Sequence, residues 1–218
     1  MTIVMQKPMN RAKSRLKNWL SLYERSCLVQ SMLFDVLNTL SRVPEIGALG
    51  IVTSDPQAIV LAQQFGIQIF YEKEVQGMNQ AIKFVVDALP DDVQQLFIFP
   101  SDIPLISGNE VGNMVNMVRN IPVSVIPCSK GIGTNGLVLS PPRVIPTAFG
   151  VDSKEKHCLL AKKAGVEFTI FHGDTLSYDI DTVEDLLLLQ TMGEGTKTKE
   201  FLERHQIFDR LLTGQETF

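Results

Sequence analysis

Cysteine is scarce in this 218-residue chain: only Cys27, Cys128 and Cys158 occur. They lie too far apart for a C-x-x-C pair, and an odd number does not make a disulfide framework. A reducing, cytoplasmic setting is the expectation that follows. Positive charge is not in excess either. The net charge is −4, which argues against non-specific binding to DNA or RNA. No apolar run approaches the roughly 20 residues that a membrane helix needs, and Gln6, Lys7, Asn10 and Arg11 interrupt the first residues, so no signal peptide is expected. There is no G-x-x-x-x-G-K-[ST] loop and no G-x-G-x-x-G turn after the first strand-like run, which leaves out two common phosphate-binding designs. His157, His172 and His205 lack metal-binding spacing, and no Ser-His-Asp set can be assembled.

What remains is an ordinary globular composition, 44% hydrophobic and 20% charged, sufficient for one large domain. Strand-like runs at 2–5, 49–53, 67–71, 96–99, 123–127, 136–140 and 166–171 alternate with amphipathic stretches. Ser21 with Glu24, Ser107 with Glu110, and Thr182 with Asp185 each form a capping-box pattern at a helix start. The stretch 56–66 opens on proline and closes on glycine, as helices do. This alternation predicts an α/β fold of three layers, α/β/α, with a mostly parallel sheet. The less regular region 123–171 predicts an antiparallel edge. Residues 1–218 read as a single domain, with 193–218 a helical extension packed on its outside.

Ligands of such sheets bind beyond the carboxyl ends of the strands, so the loops there carry the search. "QKPMNRAKSRLK" brings Lys7, Arg11, Lys13, Arg15 and Lys17 together without an acid; such a cluster can neutralise a polyphosphate, or it can be a plain solvated loop. "FIFPSDIPLI" delivers Asp102 to a strand end, where a carboxylate can hold magnesium or serve as a turn residue before Pro104. In "YDIDTVEDL", Asp179 and Asp181 alternate and so face one way in an extended segment, while Glu184 and Asp185 suit a helix N-terminus. Thr53, Asp55 and Asn79 offer hydrogen-bonding groups to a base. Thr134 in "GIGTNG" and Ser153 in "FGVDSKEKH" offer anion-binding turns. Each of these also reads as an ordinary turn or cap.

Taken in order, "KPMNRAKSRL" (7–16), "GMNQA" (77–81), "SDIPLI" (101–106), "GTNGLVLSPP" (133–142), "FGVDSKEKH" (149–157) and "DIDTVEDL" (179–186) resemble the phospholactate and phosphoenolpyruvate guanylyltransferases of coenzyme F-420 biosynthesis. The resemblance implies a Rossmann-like fold of the GT-A type. It implies transfer of GMP from GTP to the phosphate of 2-phospho-L-lactate, phosphoenolpyruvate or 3-phosphoglycerate, with release of pyrophosphate and Mg²⁺ as cofactor. Lys13, Asp102 and Asp181 would be catalytic, with the metal on Asp102 and Asp181. Lys7, Arg15, Thr53, Asp55, Gly77, Asn79 and Ser101 would bind the nucleotide, and Met78, Thr134, Gly150 and Ser153 the acid. No nucleic-acid or membrane partner is implied, and the protein would be a monomer or homodimer.

Two positions depart from the family pattern. Met78 stands where leucine is usual, at a place expected to face the acid, and Val183 stands where proline usually opens the helix. A relative with a molybdopterin or sugar-phosphate acceptor is the nearest alternative, although its G-x-G-x-R first loop is absent. A non-catalytic nucleotide-binding module is the alternative of a different class.

Overall fold

The computed structural model describes residues 1–73 and 77–214. Its strands are β1 (Thr2–Met5), β2 (Leu49–Thr53), β3 (Gln68–Tyr71), β4 (Leu96–Pro100), β5 (Val123–Pro127), β6 (Thr134–Leu139) and β7 (Phe168–Ile170). They form one sheet in the order β3-β2-β1-β4-β6-β5-β7. β1 runs parallel to β2 and β4, and β2 to β3. β6 is antiparallel to both β4 and β5, whereas β5 is parallel to β7. The antiparallel element therefore lies between two strands that point the common way, and the rim strand β7 is itself aligned with the majority.

Successive strand residues feed opposite faces, and both faces are dry. Val4, Ile51, Phe97 and Phe99 belong to one buried cluster, while Ile3, Met5, Val52 and Ile98 belong to the other. A strand buried on both sides must be apolar at every position, which is why these runs lack polar alternation. The first cluster is covered by α1 (Leu22–Leu40), α2 (Pro56–Gln64), α4 (Gly108–Val118) and α6 (Val183–Met192). The second is covered by α3 (Met78–Ala88) and α5 (Ser153–Ala164).

Local signals fixed several helix starts. Ser21 and Glu24 close a reciprocal capping box on α1, and Thr182 and Asp185 do the same on α6. The pair expected at α4 is different. Ser107 makes no side-chain cap there, because Glu110 turns away and accepts from the N–H groups of Asp174, Thr175 and Leu176 and from the Thr175 hydroxyl. At the far end, α7 (Lys197–Arg204) and α8 (Ile207–Thr213) pack over the first cluster. Asp35 of α1, 6% exposed, accepts from the N–H groups of Lys197 and Thr198 and from the Thr198 hydroxyl. Among the described residues, no helix is long and apolar enough to cross a membrane.

Candidate active site

The loop after β1 folds into two 3-10 turns, Met9–Arg11 and Ser14–Leu16, anchored by the buried side chains of Met9 and Leu16. It is braced from two sides. The Met9 N–H donates to Asp55 Oδ2 at 2.7 Å, and Arg25 Nη1 donates to the Ala12 carbonyl at 3.3 Å. Lys13 sits between the turns in the left-handed region, φ 54° and ψ 39°, which is uncommon for a residue with a Cβ. Its side chain is 4% exposed, and Nζ donates to Asp102 Oδ2 at 2.6 Å and to Asp181 Oδ1 at 2.8 Å.

Asp102 follows the end of β4, which is fixed beside β1 by the Ser101 N–H bond to the Met5 carbonyl at 3.2 Å. The Asp102 carbonyl accepts from the Ile180 N–H at 3.0 Å, which brings the 179–181 segment alongside. Asp185 Oδ2 receives the N–H groups of both Asp181 and Thr182, so the capping residue of α6 also sets the backbone that presents Asp181. Arg15 Nη1 reaches Asp181 Oδ2 at 3.2 Å.

The charges answer to this geometry. Burial works against the Lys13 ammonium, but the charges of Asp102 and Asp181 and the bonds to them outweigh it, and its pKa is raised. Burial pushes the Asp181 carboxyl up, yet Lys13, Arg15 and Lys130 together hold it below its ordinary value. Asp179 goes the other way. Burial raises it, the Asn135 amide opposes this, and the charges of Asp102 and Asp181 add to the rise.

Among the described residues no three His, Cys, Asp or Glu side chains form a metal cage. Two carboxylates already sharing one cation nevertheless suit magnesium, a hard ion that takes one or two carboxylates and completes its shell with water and phosphate oxygens.

A cavity of about 290 Å³ opens over this cluster. Of the residues singled out by sequence, Lys7, Arg11, Lys13, Arg15, Met78, Ser101, Asp102 and Asp181 line it. Thr53 and Asp55 do not. Both are buried, the Thr53 hydroxyl accepts the Asp55 N–H, and the Asp55 carboxylate caps α2 through Gln57 and Ala58 while holding Met9. With its oxygens taken, Asp55 shapes the first loop from below. Gly77 precedes α3 at φ 103°, a conformation that suits glycine. Asn79 uses both ends of its amide on one residue: Nδ2 donates to the Phe149 carbonyl and Oδ1 accepts the Phe149 N–H. It ties two loops together, with one N–H and one lone pair of the amide left over.

Thr134, Gly150 and Ser153 form a second group outside that cavity, organised by His157, whose role sequence reasoning missed. His157 is fully buried. Nε2 accepts the Ala148 N–H at 2.9 Å, so the proton sits on Nδ1, which faces the Thr134 hydroxyl at 3.2 Å. Gly150 has φ 123°, and its carbonyl accepts the N–H of the buried Ser153. The only sequence trace of this arrangement is that Ser153 and His157 are four apart, on one helix face. Two bridges join the groups: Asn79 to Phe149, and Asn135 Nδ2 to Asp179 Oδ1 at 3.1 Å.

Burial pulls His157 from 6.5 to about 4. Between those values the unfolded chain binds the proton more tightly than the folded one, so stability falls as pH drops from 6.5 toward 4 and is unaffected by this group above 6.5. The loss should reach about 3 kcal/mol. Urea unfolding at pH 7 and pH 4.5 should show that His157→Gln removes this part of the slope. A variant as acid-sensitive as the wild type would count against it.

The fold, with its cavity at the carboxyl edge of the sheet, is the one that α/β nucleotidyltransferases share. A protein from Desulfovibrio desulfuricans G20 assigned to the nucleotide-diphospho-sugar transferases superposes with a TM-score of 0.74 at 17% identity, over 98% of this chain and 96% of that one. The 4-diphosphocytidyl-2C-methyl-D-erythritol synthase of Anaerococcus prevotii superposes at 0.61 with 11% identity, over 93% and 95%. These likenesses establish the fold. The family follows from sequence: the model described as guanylyl transferase CofC like matches residues 1–211, and the chain belongs to that family. The 2-phospho-L-lactate guanylyltransferase of Methanothermobacter thermautotrophicus is 32% identical over 193 residues, covering 88% of this chain and 85% of its own. That of Methanocaldococcus infernus is 32% identical over 202 residues, covering 93% and 89%.

Proposed function

We propose that this chain transfers GMP from GTP to the phosphate of a small phosphorylated carboxylic acid, in the pathway to coenzyme F-420. 2-Phospho-L-lactate is the first acceptor to test, since the relatives' names specify it. The observation that carries the reading is the meeting of Lys13, Asp102 and Asp181 at one cavity beneath a cationic loop.

A phosphate oxygen of the acid attacks the α-phosphorus of GTP. The new P–O bond forms as the α–β bridging P–O bond breaks, and pyrophosphate leaves with the electron pair. The acceptor is ionised near neutral pH, so no general base is needed. The chain's task is positioning and charge neutralisation. Lys7, Arg11 and Arg15 line the cavity and would face the triphosphate, and Lys13 adds a fourth cation. Asp102 and Asp181 would hold Mg²⁺, which when bound supplies Lewis-acid charge neutralisation at the phosphates. Thr134, Gly150 and Ser153 hold the acid, placed relative to Met78 by the Asn79–Phe149 bridge.

The test is pyrophosphate release with Mg²⁺ and GTP against 2-phospho-L-lactate, phosphoenolpyruvate and 3-phosphoglycerate, with ATP and CTP as base controls. Release with GTP and one acid is expected. No release in any combination would sink the enzymatic reading, and GTP binding without turnover would favour a binding module.

A further inference from the structure

We infer that Lys13 is a resident cation that keeps the Asp102–Asp181 pair closed to divalent metal until an anionic substrate draws its ammonium away. The inference rests on the reading of those two carboxylates as the metal-binding pair.

One nitrogen is shared by the two side chains, at 2.6 and 2.8 Å. A divalent ion bridging the same oxygens would need that space, and it repels the charge already there. Lys13 must therefore leave for the metal to enter. The loop cannot carry it out, because Met9 and Ala12 on one side are bonded to Asp55 and Arg25, and Leu16 on the other is buried. The side chain alone has to swing.

An ammonium stripped of its partners in a buried setting is strongly unfavourable, as when one member of a buried ion pair is removed. It needs a new anion. The charged residues on its own loop that line the cavity are Lys7, Arg11 and Arg15, all cations. Asp179, on the opposite segment, is tied to Asn135 and does not line the cavity. The anion must then arrive with the substrate, and a triphosphate provides it. Metal and nucleotide consequently favour each other's binding, and the coupling is reciprocal. Lys13 thus has two partners in turn, first the carboxylates and then the phosphates.

Mn²⁺ serves as the probe, followed by its electron paramagnetic resonance signal in nucleotide-free protein. Wild type should bind it weakly. Lys13→Met should bind it at least about tenfold more tightly, the charge having been removed from the pair. Lys13→Arg keeps a cation in place and should stay weak. Lys13→Met with Asp102→Asn should lose the gain.

Melting temperature gives a second readout: millimolar Mg²⁺ without nucleotide should leave that of the wild type unchanged, while raising that of Lys13→Met. Equal Mn²⁺ affinity in wild type and Lys13→Met, or stabilisation of the nucleotide-free wild type by Mg²⁺, overturns the inference. Absence of pyrophosphate release, with the Lys13→Met gain intact, would remove the functional reading and leave the competition at this pair standing.

Discussion

Asp102→Asn is expected to fold as the wild type does and to lose pyrophosphate release by about 100-fold or more. The fold should survive because the contact that Asp102 makes to the rest of the protein through its backbone, the carbonyl bond from Ile180, does not involve the carboxylate. The flanking Ser101 and Ile103 are buried irrespective of it. What the substitution removes is a charge facing Lys13. The neutral amide is a poorer partner for any cation at that place. Steady-state turnover and a thermal melt on the same preparation check both halves, and near-wild-type turnover would take Asp102 out of the mechanism.

Glu110→Ala should cost about 3 kcal/mol of stability, since it leaves the donors of one loop without their charged acceptor. It should also depress turnover, although Glu110 touches neither the cavity nor the carboxylate pair. The reason is position. Glu110 gathers the N–H groups of Asp174, Thr175 and Leu176, and the chain then runs directly into Asp179 and Asp181. The approach is so close that a Cβ on Gly173 would lie 2.7 Å from Glu110 Oε1 and 2.9 Å from Leu176 Cβ. Glu110→Gln keeps one acceptor and should lie between wild type and alanine. Urea unfolding midpoints with turnover measured in parallel decide the matter, and an unchanged midpoint in Glu110→Ala would refute this role.

Local chemistry was legible in the sequence, and competition between distant groups was not. The boxes at Ser21 and Thr182 formed because their partners lie three residues away, and the further donors that reach them, Arg210 at Glu24 and the Asp181 N–H at Asp185, add to the box without displacing it. The same pattern at Ser107 failed because a loop more than sixty residues further on offers Glu110 a fuller set of donors. Thr53 and Asp55 carry the right groups at the right strand end, but hydrogen-bonding capacity read from a sequence says nothing of whether it is already filled. Asn79 carries a related lesson: one donor and one lone pair of its amide are engaged by Phe149, seventy residues away. The strand-like runs were placed within one or two residues; those of β1, β2 and β4 stand out because a doubly buried strand must be apolar throughout. Their order and the direction of β6 were not readable, since a run such as "GLVL" looks the same in either orientation. Lys13 was found as a member of a cationic loop. That its charge is held by Asp102 and Asp181, 89 and 168 residues away, is a property of the fold alone.

The bond set around Asp35 bears on how firmly the outer helices are held. The carboxylate sits on α1, and its donors at Lys197 and Thr198 lie more than 160 residues away along the chain. Lifting α7 off the domain would strand a buried carboxylate without its donors, which costs far more than baring apolar surface alone. α7 therefore works as a clasp on α1, fastened by one acidic side chain.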